Sequence, residues 1–247
     1  MSILITRPSP MGEALVKQLI EQGREAYHTP LITFSPGREL DKLPDYLANL
    51  REDDIIIAAS QHAVHYAQDL LKHKQQSWPE NCRYFAIGYK TATELQQATR
   101  FTVHWPEGRE ISEQLLELPQ LQQVAGKNIL ILRGNGGRQL LAETLQKRGA
   151  SVTFCECYQR NPIAYHGDDL CRYWQQISIN ILVITSGEML QQLYELVPTG
   201  YRNWLLNCHL LIVSERLADQ AKNLGWTQCH IADNADNDAL LRALQQI

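Results

Sequence analysis

Residues 1–121 and 127–247 carry the same pattern twice. A shift of 126 positions, without a gap, lays Ile3-Leu4-Ile5-Thr6-Arg7 on Ile129-Leu130-Ile131-Leu132-Arg133 and Gly23 on Gly149. It lays Pro36 on Pro162 and Ile55-Ile56-Ile57-Ala58-Ala59-Ser60 on Ile181-Leu182-Val183-Ile184-Thr185-Ser186. Cys82 meets Cys208, Ala92 meets Ala218, His104 meets His230 and Leu115 meets Leu241. Identity is sparse, but apolar runs, glycines and prolines hold phase. Solenoid repeats have periods of roughly 20–50 residues, so this longer period points to a duplicated domain, two similar lobes with a cleft between them.

Within each copy, short β-branched runs alternate with stretches of helical period. The first copy predicts strands at 3–6, 55–59, 84–87 and 101–105, and one extended stretch at 26–34. Its helices are expected at 12–22, 43–50, 62–71, 91–97 and 111–118, with Gly23 as the stop of the first. The second copy repeats this order, with strands at 128–132, 152–158, 179–184, 209–213 and 229–232. Its helices fall at 139–148, 168–176, 188–196, 216–224 and 238–246. Such alternation gives an α/β fold of two flavodoxin-like or Rossmann-like lobes, each a parallel sheet with helices on both faces. Ser35-Pro36-Gly37-Arg38 and Arg160-Asn161-Pro162-Ile163 occupy matching places, each a proline-bearing segment after an extended run. They read equally as ordinary strand ends or as crossings between lobes. If they cross, the amino-terminal βα unit joins the lobe completed by the carboxyl half.

Bulk properties narrow the partners. The 247 residues carry 23 basic and 27 acidic side chains, a formal charge of −4, with neither sign concentrated in a long run. That balance gives no general attraction to nucleic acid or to an anionic membrane, so an anionic ligand must be held by local groups. The start, MSILITRPSP, enters a strand pattern at once and lacks a signal-peptide layout. No apolar stretch approaches the roughly 18 residues a membrane helix needs. The six cysteines form no CxxC pair and several lie in apolar runs. A cytoplasmic, reduced protein is expected.

In parallel α/β sheets, ligands sit beyond the carboxyl ends of the strands, where turns open helices with free N–H groups. Those turns are Thr6-Arg7-Pro8-Ser9, Ser60-Gln61-His62, Gly88-Tyr89-Lys90-Thr91, Arg133-Gly134-Asn135-Gly136-Gly137-Arg138, Thr185-Ser186-Gly187 and Ser214-Glu215-Arg216. Hydroxyls, glycines and cations there suit carboxylate or phosphate oxygens. Any one turn reads first as an ordinary helix cap; six around one cleft favour a ligand. The glycine loop after residue 133 fails the dinucleotide pattern, because Gln139 stands where its third glycine belongs. The eight histidines do not cluster at ligand spacing, and the acidic run from Asp233 lacks a calcium loop's glycine and terminal glutamate. No metal or cofactor is expected. Tyr158, at the end of an extended run, reads either as a functional hydroxyl or as a buried structural residue.

With the turns laid out, the chain resembles the uroporphyrinogen-III synthase family of tetrapyrrole biosynthesis along its whole length. The resemblance rests on Leu4-Ile5-Thr6-Arg7-Pro8, Ser60-Gln61-His62-Ala63-Val64, and Ala86-Ile87-Gly88 with Thr91-Ala92. It continues through Leu130-Ile131-Leu132-Arg133-Gly134, Cys155-Glu156-Cys157-Tyr158-Gln159-Arg160, Thr185-Ser186-Gly187-Glu188-Met189-Leu190 and Val213-Ser214-Glu215-Arg216-Leu217-Ala218. It implies a discontinuous first lobe, 1–34 with 165–247, and a second lobe, 40–158. Segments 35–39 and 159–164 would form a two-stranded connector. It also implies a cofactor-independent lyase that closes linear hydroxymethylbilane to uroporphyrinogen III in the cleft. Water is lost and the last pyrrole ring inverts through a spiro intermediate.

By the same carry-over, Tyr158 stands near the reacting end and helps the hydroxyl leave, while Ser60, Thr91 and Ser186 line the carboxylate-binding surface. Gly88, Gly187 and Ser214 share those turns, and Arg7, Lys90, Arg133 and Arg138 join them on charge and position. The chain departs from some family members, which carry a threonine where it has Ser214-Glu215. An acidic Glu215 must then point away, or Ser214 must make the contact. A monomer is expected, since one chain supplies both lobes, with at most transient contact with the enzyme that supplies hydroxymethylbilane. The competing reading is a non-catalytic, two-lobed binder of small anions.

Overall fold

The β-branched runs and amphipathic stretches form elements that follow the chain in strict alternation for most of its length. In chain order these are β1 (Ser2–Ile5), α1 (Met11–Glu21), β2 (Glu25–His28), β3 (Ile32–Pro36), α2 (Leu43–Ala48), β4 (Ile55–Ala58), α3 (Gln61–His73), β5 (Arg83–Ala86), α4 (Tyr89–Thr99), β6 (Val103–His104) and α5 (Ser112–Leu116). There follow β7 (Asn128–Gly134), α6 (Leu140–Lys147), β8 (Ser151–Pro162), α7 (Gly167–Gln176), β9 (Ile179–Val183), α8 (Gly187–Leu196), α9 (Arg202–Asn207), β10 (His209–Ile212), α10 (Glu215–Leu224), β11 (Cys229–Ile231) and α11 (Asn237–Leu244). This is a computed structural model, which describes residues 1–108, 111–136 and 139–247.

The chain divides into a discontinuous unit, 1–33 with 161–247, and a continuous unit, 34–160. The discontinuous unit holds a five-stranded parallel sheet, β11-β10-β9-β1-β2. Numbered along the chain, that order is 2-1-3-4-5, the flavodoxin-like winding. In the other sheet, β3-β8-β7-β4-β5-β6, the strands from β8 to β6 are parallel. Counted from β7, these five follow the same winding, with the chain entering it at a different point. β3 lies along the outer edge of β8. The Ile163 N–H donates to the Leu31 carbonyl and the Gly37 N–H to the Cys157 carbonyl, so the pair runs antiparallel.

Side-chain alternation explains why β4 and the middle of β7, Ile129–Leu132, are apolar throughout. Ile56, Ala58, Leu130 and Leu132 enter one core cluster, and Ile55, Ile57, Ile129 and Ile131 enter another. A strand covered on both faces has no polar side to show. In the discontinuous unit, Ile3, Ile5, Ile181 and Val183 pack with Leu15 and Leu19 of α1 and Leu240 and Leu244 of α11. Each fully buried Leu or Ile of this kind contributes about 1.5–3 kcal/mol of transfer free energy.

One expectation about the chain's path changes. The stretch 26–34 is not one extended run but two strands of different sheets, β2 and β3. Pro30, which has no N–H to donate, separates them, while the Thr29 and Leu31 N–H groups donate to the Ile5 and Thr6 carbonyls. The chain passes from one unit to the other at Thr33/Phe34 and at Arg160/Asn161. Phe34 packs against the continuous unit's core and lies on the His62 ring, with centroids 4.1 Å apart. Among the described residues, no helix is long and apolar enough to cross a membrane.

Candidate active site

In the continuous unit, the winding reverses direction between β7 and β4, and the carboxyl ends of these strands diverge there. A crevice at such a point is where open α/β sheets hold ligands. Here it is a cavity of about 200 Å³ with an apolar wall of Ile87, Ile131, Leu141 and Phe154. Its polar lining includes Ser60, Arg133, Asn135, Tyr158 and Arg160.

Tyr158 is 2% exposed. Its hydroxyl oxygen accepts from Ser60 Oγ at 3.2 Å and from Arg160 Nη2 at 3.3 Å. Ser60 is also the N-cap of α3, and its Oγ accepts from the Ala63 N–H at 3.2 Å. The chain of donors thus runs from the positive end of a helix through Ser60 to the phenol oxygen. Both contacts are donated to the phenol oxygen, so the tyrosine's own O–H is not engaged by either of them.

The ring is fixed from several sides. Tyr66 stacks on it at 6.1 Å, and His62 and Phe34 approach at 5.6 and 5.7 Å. Against Gly134 there is no room for a side chain, since a Cβ there would lie 2.6 Å from Tyr158 Cζ. Gly134 is also where the β7–β8 register shifts, Arg133 pairing with Glu156 but Gly134 with Tyr158. Burial, then the neighbouring His65 and Arg160, hold the His62 imidazole below its ordinary value. It is the neutral ring that packs beside the tyrosine.

Arg133 is 8% exposed, with its guanidinium 4.6 Å from the Phe154 ring centroid. It donates to the carbonyls of Gly134 and Gly136, which shapes the turn beside the cavity. Gly88 caps α4 in an extended conformation without a side-chain bond, followed by exposed Lys90 and half-buried Thr91. Arg138 lies outside the described residues.

Four expected residues belong to the discontinuous unit. Ser186 caps α8 by accepting from the Met189 N–H at 3.2 Å, and Ser214 caps α10 by accepting from Leu217 at 3.3 Å. Glu215, the first residue of α10, is exposed. Gly187 follows Ser186, and a Cβ on it would meet Gln220 Oε1 at 2.6 Å. Arg7 follows the end of β1 and donates to Asn237 Oδ1. Burial lowers its pKa, partly offset by Asp236.

The sequence reading passed over Arg160 and Asn135 as site residues. Arg160 stands two positions after Tyr158 on one strand, a spacing that places both side chains on the same face. Asn135 gave no such signal, because its contacts depend on the register shift. Among the described residues, no group of three or more His, Cys, Asp or Glu side chains could hold a metal ion.

Comparison with known proteins bears on this arrangement. A family model described as uroporphyrinogen-III synthase HemD matches residues 13–242. The uroporphyrinogen-III synthase of Escherichia coli (strain K12) is 56% identical over 246 residues, spanning 99% of this chain and 100% of that protein. That of Salmonella typhimurium (strain LT2) is 57% identical over 246 residues, with the same coverage. Among solved structures, a mutant uroporphyrinogen III synthase from the extremely thermophilic bacterium Thermus thermophilus superimposes with a TM-score of 0.68 at 19% identity, covering 100% of both chains. The Helicobacter pylori 26695 protein gives 0.59 at 16% identity, covering 99% of this chain and 98% of that one. At such identity these two likenesses speak to the fold.

Proposed function

Since the chain belongs to the uroporphyrinogen-III synthase family and forms uroporphyrinogen III, we propose that it does so as a cofactor-independent lyase acting on hydroxymethylbilane. The observation that carries this reading is the Tyr158 hydroxyl, oriented by Ser60 and Arg160 at the wall of the switch-point cavity. The terminal hydroxyl of the linear tetrapyrrole leaves as water, which requires a proton. Tyr158 is the donor, and the electron-rich pyrrole nitrogen supplies the push, so no stronger acid is needed. The substituted carbon of the last ring then attacks, and the spiro intermediate reopens and recloses with that ring inverted; the proton lost from the newly bonded ring carbon returns to Tyr158. Unaided closure gives the uninverted isomer, so the protein's main contribution is to hold the chain in the bent conformation.

The eight carboxylates of the substrate supply the handles. In the continuous unit, the α3 N-terminus at Ser60 offers N–H donors, the turn of Gly88, Lys90 and Thr91 offers hydroxyl, N–H and cation donors, and Arg133 adds positive charge at the cavity wall. Arg7, Ser186, Gly187 and Ser214 in the discontinuous unit are proposed to take further carboxylates, and Arg138 to join them. We further propose a cytoplasmic monomer that draws its substrate by transient contact with the enzyme that makes it.

Fresh hydroxymethylbilane, given to the purified protein and followed by oxidation and separation of isomers, tests the reading. Mostly isomer III without added cofactor is expected; isomer I at the blank rate would overturn it. Tyr158→Phe should lower kcat about 100-fold while leaving the fold intact, and full turnover would remove the tyrosine's role.

A further inference from the structure

We propose that Asn135 is a positioning residue for this reaction, fixing β8 so that Arg160 and Tyr158 meet; this rests on the assignment of Tyr158 above. β7 ends at Gly134, while β8 continues to Pro162. Beyond that end, Asn135 serves as the missing strand. Its main-chain N–H donates to the Tyr158 carbonyl at 3.0 Å. Its side-chain Oδ1 accepts from the Arg160 N–H at 2.7 Å, and its Nδ2 donates to the Arg160 carbonyl at 3.2 Å. One residue therefore holds the backbone at both functional positions.

The chemistry of the side chain explains why an asparagine suits this place. Pairing with a peptide's N–H and C=O together requires an acceptor and a donor on one short, planar group, which a carboxamide provides. Aspartate would set a second acceptor against the Arg160 carbonyl, and alanine would supply neither bond.

The geometry then passes from backbone to side chain. Strand alternation places Tyr158 and Arg160 on one face, and Arg160 Nη2 reaches the tyrosine hydroxyl at 3.3 Å. The register shift between Arg133 and Gly134 seats the tyrosine ring over Gly134, one residue before Asn135. A backbone displacement at Arg160 would draw its guanidinium away from the phenol oxygen. It would leave Ser60 and the aromatic packing of the ring in place.

The test compares wild type, Asn135→Ala, Asn135→Asp, Tyr158→Phe and the Asn135→Ala/Tyr158→Phe double variant, recording kcat, KM, the isomer III fraction and Tm. Asn135 is exposed, so the single variants are expected to fold. Asn135→Ala and Asn135→Asp should each lower kcat about 10- to 100-fold with KM little changed, and the loss should vanish in the Tyr158→Phe background. A raised KM with unchanged kcat would make Asn135 a substrate contact and overturn the proposal. So would losses that multiply in the double variant, or full activity in either single variant beside an impaired Tyr158→Phe. Full turnover by Tyr158→Phe would remove the parent reading and this inference together.

Discussion

Ser60 and Ser186 stand 126 positions apart, cap the corresponding helices α3 and α8, and each accept an N–H three residues on at 3.2 Å. Their surroundings differ. Opposite Ser60 is the hydroxyl of Tyr158, whereas the position matching Tyr158 in the other copy is Ile32, buried and without a polar atom on its side chain. At the end of β1, Thr6 Oγ1 bridges to the Val183 carbonyl at 2.8 Å, while the matching Leu132 enters the apolar core. The same winding therefore carries two different switch points. In one, the hydroxyl ties strands together; in the other, the strands frame a cavity with the Tyr158 hydroxyl at its wall. The cap serine belongs to the scaffold in both units and acquires a second task in one.

The sharpest way to break this comparison is to remove the space that the tyrosine occupies. Gly134→Ala would place a Cβ 2.6 Å from Tyr158 Cζ, against a ring held on its other sides by Tyr66, His62 and Phe34. Turnover should fall about 100-fold, and urea unfolding should show about 1–3 kcal/mol lost to overpacking. Next comes the serine pair. Ser60→Ala and Ser186→Ala should each cost about 1 kcal/mol as lost caps, measured by the same unfolding. Only Ser60→Ala should also lose its hydrogen bond to the phenol, worth about 10-fold in kcat. Equal kinetic losses in the two variants would mean the serines act alike, and the contrast between the units would fail.

Acidification should produce a smaller difference. Burial, then His65 and Arg160, hold His62 below its ordinary value of 6.5, and burial with His209 does the same to His230 in the discontinuous unit. Below about 6.5 the unfolded chain binds protons that the folded chain resists. This contribution to stability is complete above that pH and is lost as pH falls through the lowered folded values. His62→Gln should flatten the acid limb of the stability curve through the continuous unit, and His230→Gln through the other. Smallest of all is Gly187→Ala, whose new Cβ meets only the flexible end of Gln220. Unfolding should change within about 0.5 kcal/mol.

The sequence disclosed these elements unevenly, for physical reasons. The strand at 55–59 was legible because a run covered on both faces must be apolar throughout, and the helices α3 and α10 because Ser60 and Ser214 precede apolar residues at helical spacing. The short helix α9 was missed, since within Arg202–Asn207 only Leu205 is buried and no periodicity can develop. The break at Pro30 was missed because β2 and β3 each look extended, and only pairing partners assign them to different sheets. At the site, Tyr158 and Ser60 stood out as residue types at the right turns. Arg133 was legible as charge, but not the path of its guanidinium across Phe154 to two carbonyls of its own turn. Asn135 depends on a one-residue shift between neighbouring strands, which no residue pattern announces.

The discontinuity of the first unit also sets a timetable for synthesis. β1 leaves the ribosome long before its partner β9, as the Thr6–Val183 bond across 177 positions illustrates. All strands of 34–160 emerge before β9 exists, so the continuous unit can close while β1, whose only neighbour made by then is β2, still has its β9 side open. The usual amino-terminus-first order of domain folding is inverted here. A nascent chain arrested between β8 and β9 would hold a folded second unit behind a β1–β2 pair whose outer side is still open.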